Sequence, residues 1–136
     1  MPGYWLLKTE PSDYSYDDLE RDEKTIWDGV ANNLALKHLR NIKTGDFAFI
    51  YHTGKERALV GIAKVISNPY PDPVQKDPRL VVVDVKAEQK LNRTVCLKEV
   101  KADPTFDDFL LVRLPRLSIM PITVPQWKRL LVMAES

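Results

Sequence analysis

"DFAFIYHTGKERALVGIAKVI", residues 46–66, is the stretch on which the fold turns. Two runs rich in aromatic, β-branched and leucine residues, 46–51 and 58–66, flank "HTGKER" (52–57), whose glycine and charges interrupt them. The pattern predicts two strands paired antiparallel through a hairpin loop. Working outward, "GYWLLK" (3–8) and "RLVVVDVKA" (79–87) have the same composition between turn formers and predict two more strands. "NPYPDPVQKDP" (68–78) holds four prolines and excludes regular structure. It reads as a long ordered loop, or alternatively as a linker between domains.

Helices are fewer. From Ala31, apolar residues recur at Leu34, Ala35, Leu39 and Ile42, one stripe at helical period that ends near Gly45, with Asp28 as the candidate N-cap. A C-terminal helix follows Thr123 and Gln126, which fit a capping box; Val124, Trp127, Leu130 and Leu131 share a face that should dock on the sheet. "SYDDL" (15–19) and "LKEVKADPTFDDF" (97–109) suggest shorter helical pieces, the second broken at Pro104. Strands outnumber helices without a βαβ repeat. The expected class is α+β, predominantly β, with a curved antiparallel sheet or small barrel and peripheral helices.

The chain of 136 residues suits a single domain over 1–136. It is 44% hydrophobic and 29% charged, and no apolar run nears the roughly 20 residues of a membrane span. A soluble protein with no membrane partner is expected. The start lacks the basic and apolar regions of a secretory signal, which points to the cytoplasm, or to the nucleus in a eukaryote. Cys96 is the only cysteine, which excludes an intramolecular disulfide, and "TVCLKEV" presents it as a small core residue. His38 and His52 have no ligand-like spacing, so neither a metal nor a cofactor is expected. A net charge of +1 does not announce a nucleic-acid binder, so any such contact must be local.

"WDGVANN" (27–33) concentrates an aromatic, an acid and two asparagines. Read locally, Trp27 is a core aromatic, Asp28 a helix cap, and Asn32 and Asn33 lie on a solvated face. Read together, they are what a pocket for a flipped-out base uses: a ring that stacks and polar groups that meet the base edge. Asp28 could accept a hydrogen bond from a base's exocyclic amine, and the asparagine amides could read its Watson–Crick edge. Phosphates could be met by Lys37, Arg40 and Arg116, residues that equally suit solvated surfaces.

"YWLLKTEPSDYSYDDL" (4–19), "WDGVANNLALKHLR" (27–40), "GDFAFIYHTG" (45–54), "VGIAKV" (60–65), "YPDPVQKDP" (70–78) and "RLSIMPI" (116–122), in that order, resemble the motifs of the EVE domain family of the PUA-like superfamily. The resemblance spans nearly the whole chain. It implies a PUA-like curved β-barrel with peripheral helices that binds a modified base such as 5-methylcytosine or its hydroxymethyl form. The family's motifs fall on Lys8, Thr9 and Glu10; on Trp27, Asp28, Gly29, Val30 and Asn32; on Tyr51, His52 and Thr53, with threonine in place of serine; and on Ser118, preceded by Arg116. Two positions depart: Ala31 where relatives usually carry arginine, and Asn33 where they carry an aromatic.

The expected partner is DNA or RNA bearing a modified base, with an enzyme acting in trans as a possible companion. A pocket for a free nucleoside or metabolite, or a protein adaptor, is the alternative. Catalysis is the weaker option, because no phosphate loop, metal cluster or activated nucleophile is evident.

Overall fold

The computed structural model describes residues 2–135, so Met1 and Ser136, the ends of the expected domain, lie outside the described residues. In chain order the elements are β1 (Tyr4–Thr9), α1 (Tyr16–Asp22), β2 (Lys24–Trp27), α2 (Asn33–Arg40), β3 (Phe47–His52), β4 (Ala58–Val65), β5 (Tyr70–Pro71), β6 (Val81–Cys96), α3 (Leu97–Ala102), α4 (Leu110–Arg113), β7 (Ile119–Pro121) and α5 (Val124–Glu135), with a 3-10 turn at Pro104–Phe106 before α4.

The central hairpin forms as its sequence dictates. β3 and β4 pair antiparallel from Phe47 opposite Lys64 to His52 opposite Ala58, and Gly54 supplies a left-handed φ of 79° in the loop. β1 instead runs parallel to β3, from Tyr4 opposite Phe47 to Thr9 opposite His52, so the sheet is mixed rather than antiparallel. The long connection between them, with two helices and β2, supplies the length that a parallel return needs. β6 is the longest strand at 16 residues and outruns the expected 79–87. Its second half is polar and hides the strand period, while register shifts against β4 between Leu59 and Gly61 and between Ile62 and Ala63 bend it. Within the 68–78 loop, Tyr70 and Pro71 form the short β5 against β6, a correction to the expectation of no regular structure there; a sheet edge tolerates proline.

Pairing order along the sheet is β2, β6, β4, β3, β1, β7, and no pairing joins β2 to β7 among the described residues. The sheet is therefore a curled half-barrel rather than a closed one. α2 packs against both β6 and β7 and fills the seam with Ala35, Leu36 and Leu39, all fully buried. Leu34, placed on the buried stripe by period, is exposed. The helix starts one turn later than Asp28 would place it: Asn32 is the N-cap, its Oδ1 accepting the Ala35 N–H at 3.0 Å. It ends at Arg40 rather than near Gly45.

α5 carries the expected capping box, with Thr123 N–H donating to Gln126 Oε1 and Gln126 N–H to Thr123 Oγ1. Trp127 stacks on Tyr4 at 4.3 Å between ring centroids, docking the helix on the sheet, whereas Val124 faces solvent and Leu131 is half-buried. Cys96 is half-buried rather than a core residue; it caps α3 and its Sγ donates to Glu99 Oε1 at 3.4 Å. Asp46 is a buried carboxylate fully used by the fold: it accepts from the N–H groups of Gly3 and Lys43 and from the Trp5 indole. No helix among the described residues is long and apolar enough to cross a membrane.

Candidate nucleic-acid interface

The end of β1, the turn that follows it and the edge strand β2 enclose a cleft of about 610 Å³. Its walls are Lys8, Thr9, Asp13, Tyr14, Thr25, Ile26, Trp27, Asp28 and Gly29. The size falls within the roughly 300–1,000 Å³ of small-ligand sites.

Lys8 is held on one side. Its Nζ donates to the Pro115 carbonyl at 2.8 Å and lies 5.5 Å from the centre of the Tyr51 ring. Burial holds its pKa below the ordinary lysine value. Its backbone N–H donates to Ser118 O at 3.0 Å, which brings Ser118 beside β1 at the edge of the site. Thr9 Oγ1 donates to Tyr14 O at 2.6 Å and fixes the turn that carries Asp13 and Tyr14 into the cleft. Tyr14 is itself anchored, its hydroxyl donating to Asp22 Oδ2 at 2.9 Å, and burial raises its pKa.

At the end of β2, Trp27 is only 7% exposed and Tyr51 only 3%. Trp27 therefore gives the cleft little of its ring surface, while Tyr51 lies beneath Lys8; neither offers a bare face for stacking. The half-buried Tyr14 is the more accessible aromatic wall. Asp28 is exposed, and its carboxylate has no hydrogen-bond partner among the described residues. Freed from the helix-capping role, it is available to a ligand. Gly29, at φ 78°, turns the chain from β2 toward α2, a conformation an L side chain adopts only with strain.

The other expected residues are distributed around this cleft. Val30 is buried just beyond it. Asn32 caps α2 and, with Arg116, borders a second, apolar cavity of about 350 Å³ whose other walls are Leu34, Leu114, Pro115 and Leu117. Glu10 and Thr53 face one another: Glu10 Oε2 accepts from Thr53 Oγ1 at 3.1 Å, and Oε1 accepts from Ser12 N–H and Oγ. The Ser12 backbone N–H chiefly holds the Glu10 pKa below its ordinary value. A side chain at Gly54 would stand 2.8 Å from Glu10 Oε2, so this fastening depends on the glycine. His52 is internal. Its Nε2 accepts the Tyr16 N–H at 3.0 Å, which leaves Nδ1 to donate to Glu56 Oε1 at 2.6 Å. Lys37 and Arg40 sit in the last turn of α2, and Arg40 is committed to the Arg79 carbonyl at 2.6 Å.

The structure thus brings Lys8, Thr9, Trp27, Asp28 and Gly29 to one cleft, sets Ser118, Val30, Asn32 and Arg116 around it, and ties Glu10, His52 and Thr53 into the framework. Asp13, Tyr14, Thr25 and Ile26 complete the walls and were not anticipated. Only the tyrosine carried a signal, as an aromatic within the "KTEPSDY" segment already singled out.

The EVE domain model matches residues 3–133. This chain belongs to the EVE domain family. The EVE domain is 30% identical over 171 residues to thymocyte nuclear protein 1 of Rattus norvegicus, covering 100% of this chain and 75% of the relative. Among solved structures, a Rhodopseudomonas palustris protein is 38% identical, with a TM-score of 0.93 over 98% of this chain and 93% of that one. A structure of the human THYN1 protein in complex with 5-methylcytosine-containing DNA is 29% identical, with a TM-score of 0.89 over 98% of each chain. An ASCH protein of Zymomonas mobilis, at 9% identity and a TM-score of 0.61 over 96% of this chain and 95% of that one, shares the fold.

Proposed function

We propose that this EVE domain is a binding module that takes an extruded, modified base of DNA into the Lys8–Gly29 cleft, with 5-methylcytosine and its hydroxymethyl form the first candidates. The observation that carries the reading is the cleft itself, in a fold shared with a human protein in complex with 5-methylcytosine-containing DNA. The half-buried ring of Tyr14 suits a base ring. An unpaired carboxylate at Asp28 suits the exocyclic amine that cytosine presents. Lys8 suits a phosphate or a base carbonyl. An added methyl in an apolar setting is worth only about 1–3 kcal/mol, so strong discrimination would rest on polar partners in the cleft such as Thr9 or Thr25.

Fluorescence anisotropy with short DNA and RNA carrying cytosine, 5-methylcytosine or 5-hydroxymethylcytosine, at two salt concentrations, tests the proposal. Tighter binding of a modified probe is expected, reduced in Asp28→Ala, whose exposed side chain can be removed without disturbing packing. Trp27→Ala, with its fold checked by thermal unfolding, is the second arm. Phosphate contacts make affinity fall with salt, whereas a free-nucleoside pocket would barely respond. Equal weak binding of all probes would remove the base-reading proposal.

A further inference from the structure

The proline-rich loop 68–78 adjoins the cleft, and base capture alone does not use it. At its tip, Val74 is 79% exposed, the most exposed large apolar side chain among the described residues. Such exposure on a slack loop would mean little, but this tip is braced. Asp72 Oδ1 accepts the N–H groups of Val74 at 2.8 Å and Gln75 at 3.0 Å. Pro71 and Pro73 restrict the backbone on either side of Asp72, β5 fastens the stem to β6, and Tyr70 donates to Asp84 at 2.5 Å. The tip is also next to the proposed base site: Asp72, Val74 and Gln75 form one wall of a trough whose other wall includes Asp28 and Gly29, residues that line the cleft as well.

We infer that Val74 and Gln75 form a wedge that enters a DNA duplex at the position a base vacates when it swings into the cleft. The inference rests on the base-reading proposal and deepens it by naming the substrate as a duplex and the wedge as part of the recognition. Extrusion leaves two base-pair faces unstacked and one base without its partner. An apolar side chain inserted between base steps covers such faces. Val74 stands 79% exposed at the loop tip, whereas Leu34 and Leu114 line a groove. Gln75 adds a side-chain amide with both a donor and an acceptor, which matches the N–H and O6 of the guanine orphaned opposite an extruded cytosine. Exposed Lys76 follows the tip as a cation for a flanking phosphate, while Arg79, four residues beyond, pairs with Asp77 at 3.5 Å.

The test is a Val74→Ser, Gln75→Gly double variant, confirmed to melt like the parent protein, since neither side chain is part of the core. Binding is measured to a duplex holding one 5-methylcytosine opposite guanine and to the same modified strand alone. The wedge predicts a loss of roughly tenfold or more on the duplex and no change on the single strand, because a single strand leaves no gap to fill. Equal duplex affinities for parent and variant, with the parent still preferring the modified single strand, would overturn the wedge and leave the cleft intact. A parent protein that does not distinguish modified from unmodified single strands would instead overturn the base-reading proposal, and the wedge with it.

Discussion

Gly61, in the middle of β4, shows how a single missing carbon organises the sheet. A Cβ there would overlap the ring of Tyr16, with Cδ1 only 2.6 Å away, so the ring lies directly on the strand backbone. That approach lets the Tyr16 hydroxyl donate to Ile62 O at 2.8 Å, and burial pushes its pKa up to about 12. Tyr16 N–H also donates to His52, so one residue of α1 touches both strands of the hairpin. A strand glycine replaced by alanine usually gains from reduced chain freedom, but here overpacking should dominate. Gly61→Ala is expected to lower stability by roughly 1–3 kcal/mol, read as a lower urea midpoint at unchanged m-value.

At the scale of the element, α2 depends on its cap. Asn32→Ala should cost about 1 kcal/mol of stability, whereas Asn32→Asp, an equally good cap, should restore it. Urea unfolding of the two variants separates capping from any contact with a ligand, because a base-reading Asn32 would leave the aspartate variant stable but weak in binding. The same helix shows where sequence reading stops. Asp28 and Asn32 are both good N-caps by type, and the left-handed turn at Gly29 removes Asp28 from that role. β2 and β7, at four and three residues, are too short to display a strand period, while the β3–β4 hairpin was legible because its turn chemistry is local. Of the cleft, the "WDG" segment stood out as a concentration of polar and aromatic residues, whereas the Lys8–Thr9 step stood out only through the family resemblance. The Glu10–Thr53 fastening was not legible, since it follows from the parallel register that sets Thr9 opposite His52.

For the molecule as a whole, acid stability should hinge on the joint between β6, α3 and α5. Glu99 accepts two hydrogen bonds from Arg93 at 2.9 and 2.7 Å, and Arg93 also donates to Met133 O at 2.9 Å. The Arg93 guanidinium is the main cause that brings the Glu99 pKa down from 4.5 to about 2. A depressed carboxylate pKa contributes stability in full above the unfolded-state value and loses it as pH falls through the folded-state value. Urea midpoints should therefore drop between about pH 4.5 and 2, and Glu99→Gln should be less stable at neutral pH and show a flatter acid limb. The half-barrel adds a constraint in time. The helix that fills the seam is made before the strands it must touch, β6 and β7. The nascent chain can thus pair its hairpin long before it can hold α2 in place. A product cut short before Ile119 would keep most of its strands and every residue that walls the Lys8–Gly29 cleft, yet would lack the strand against which α2 seats.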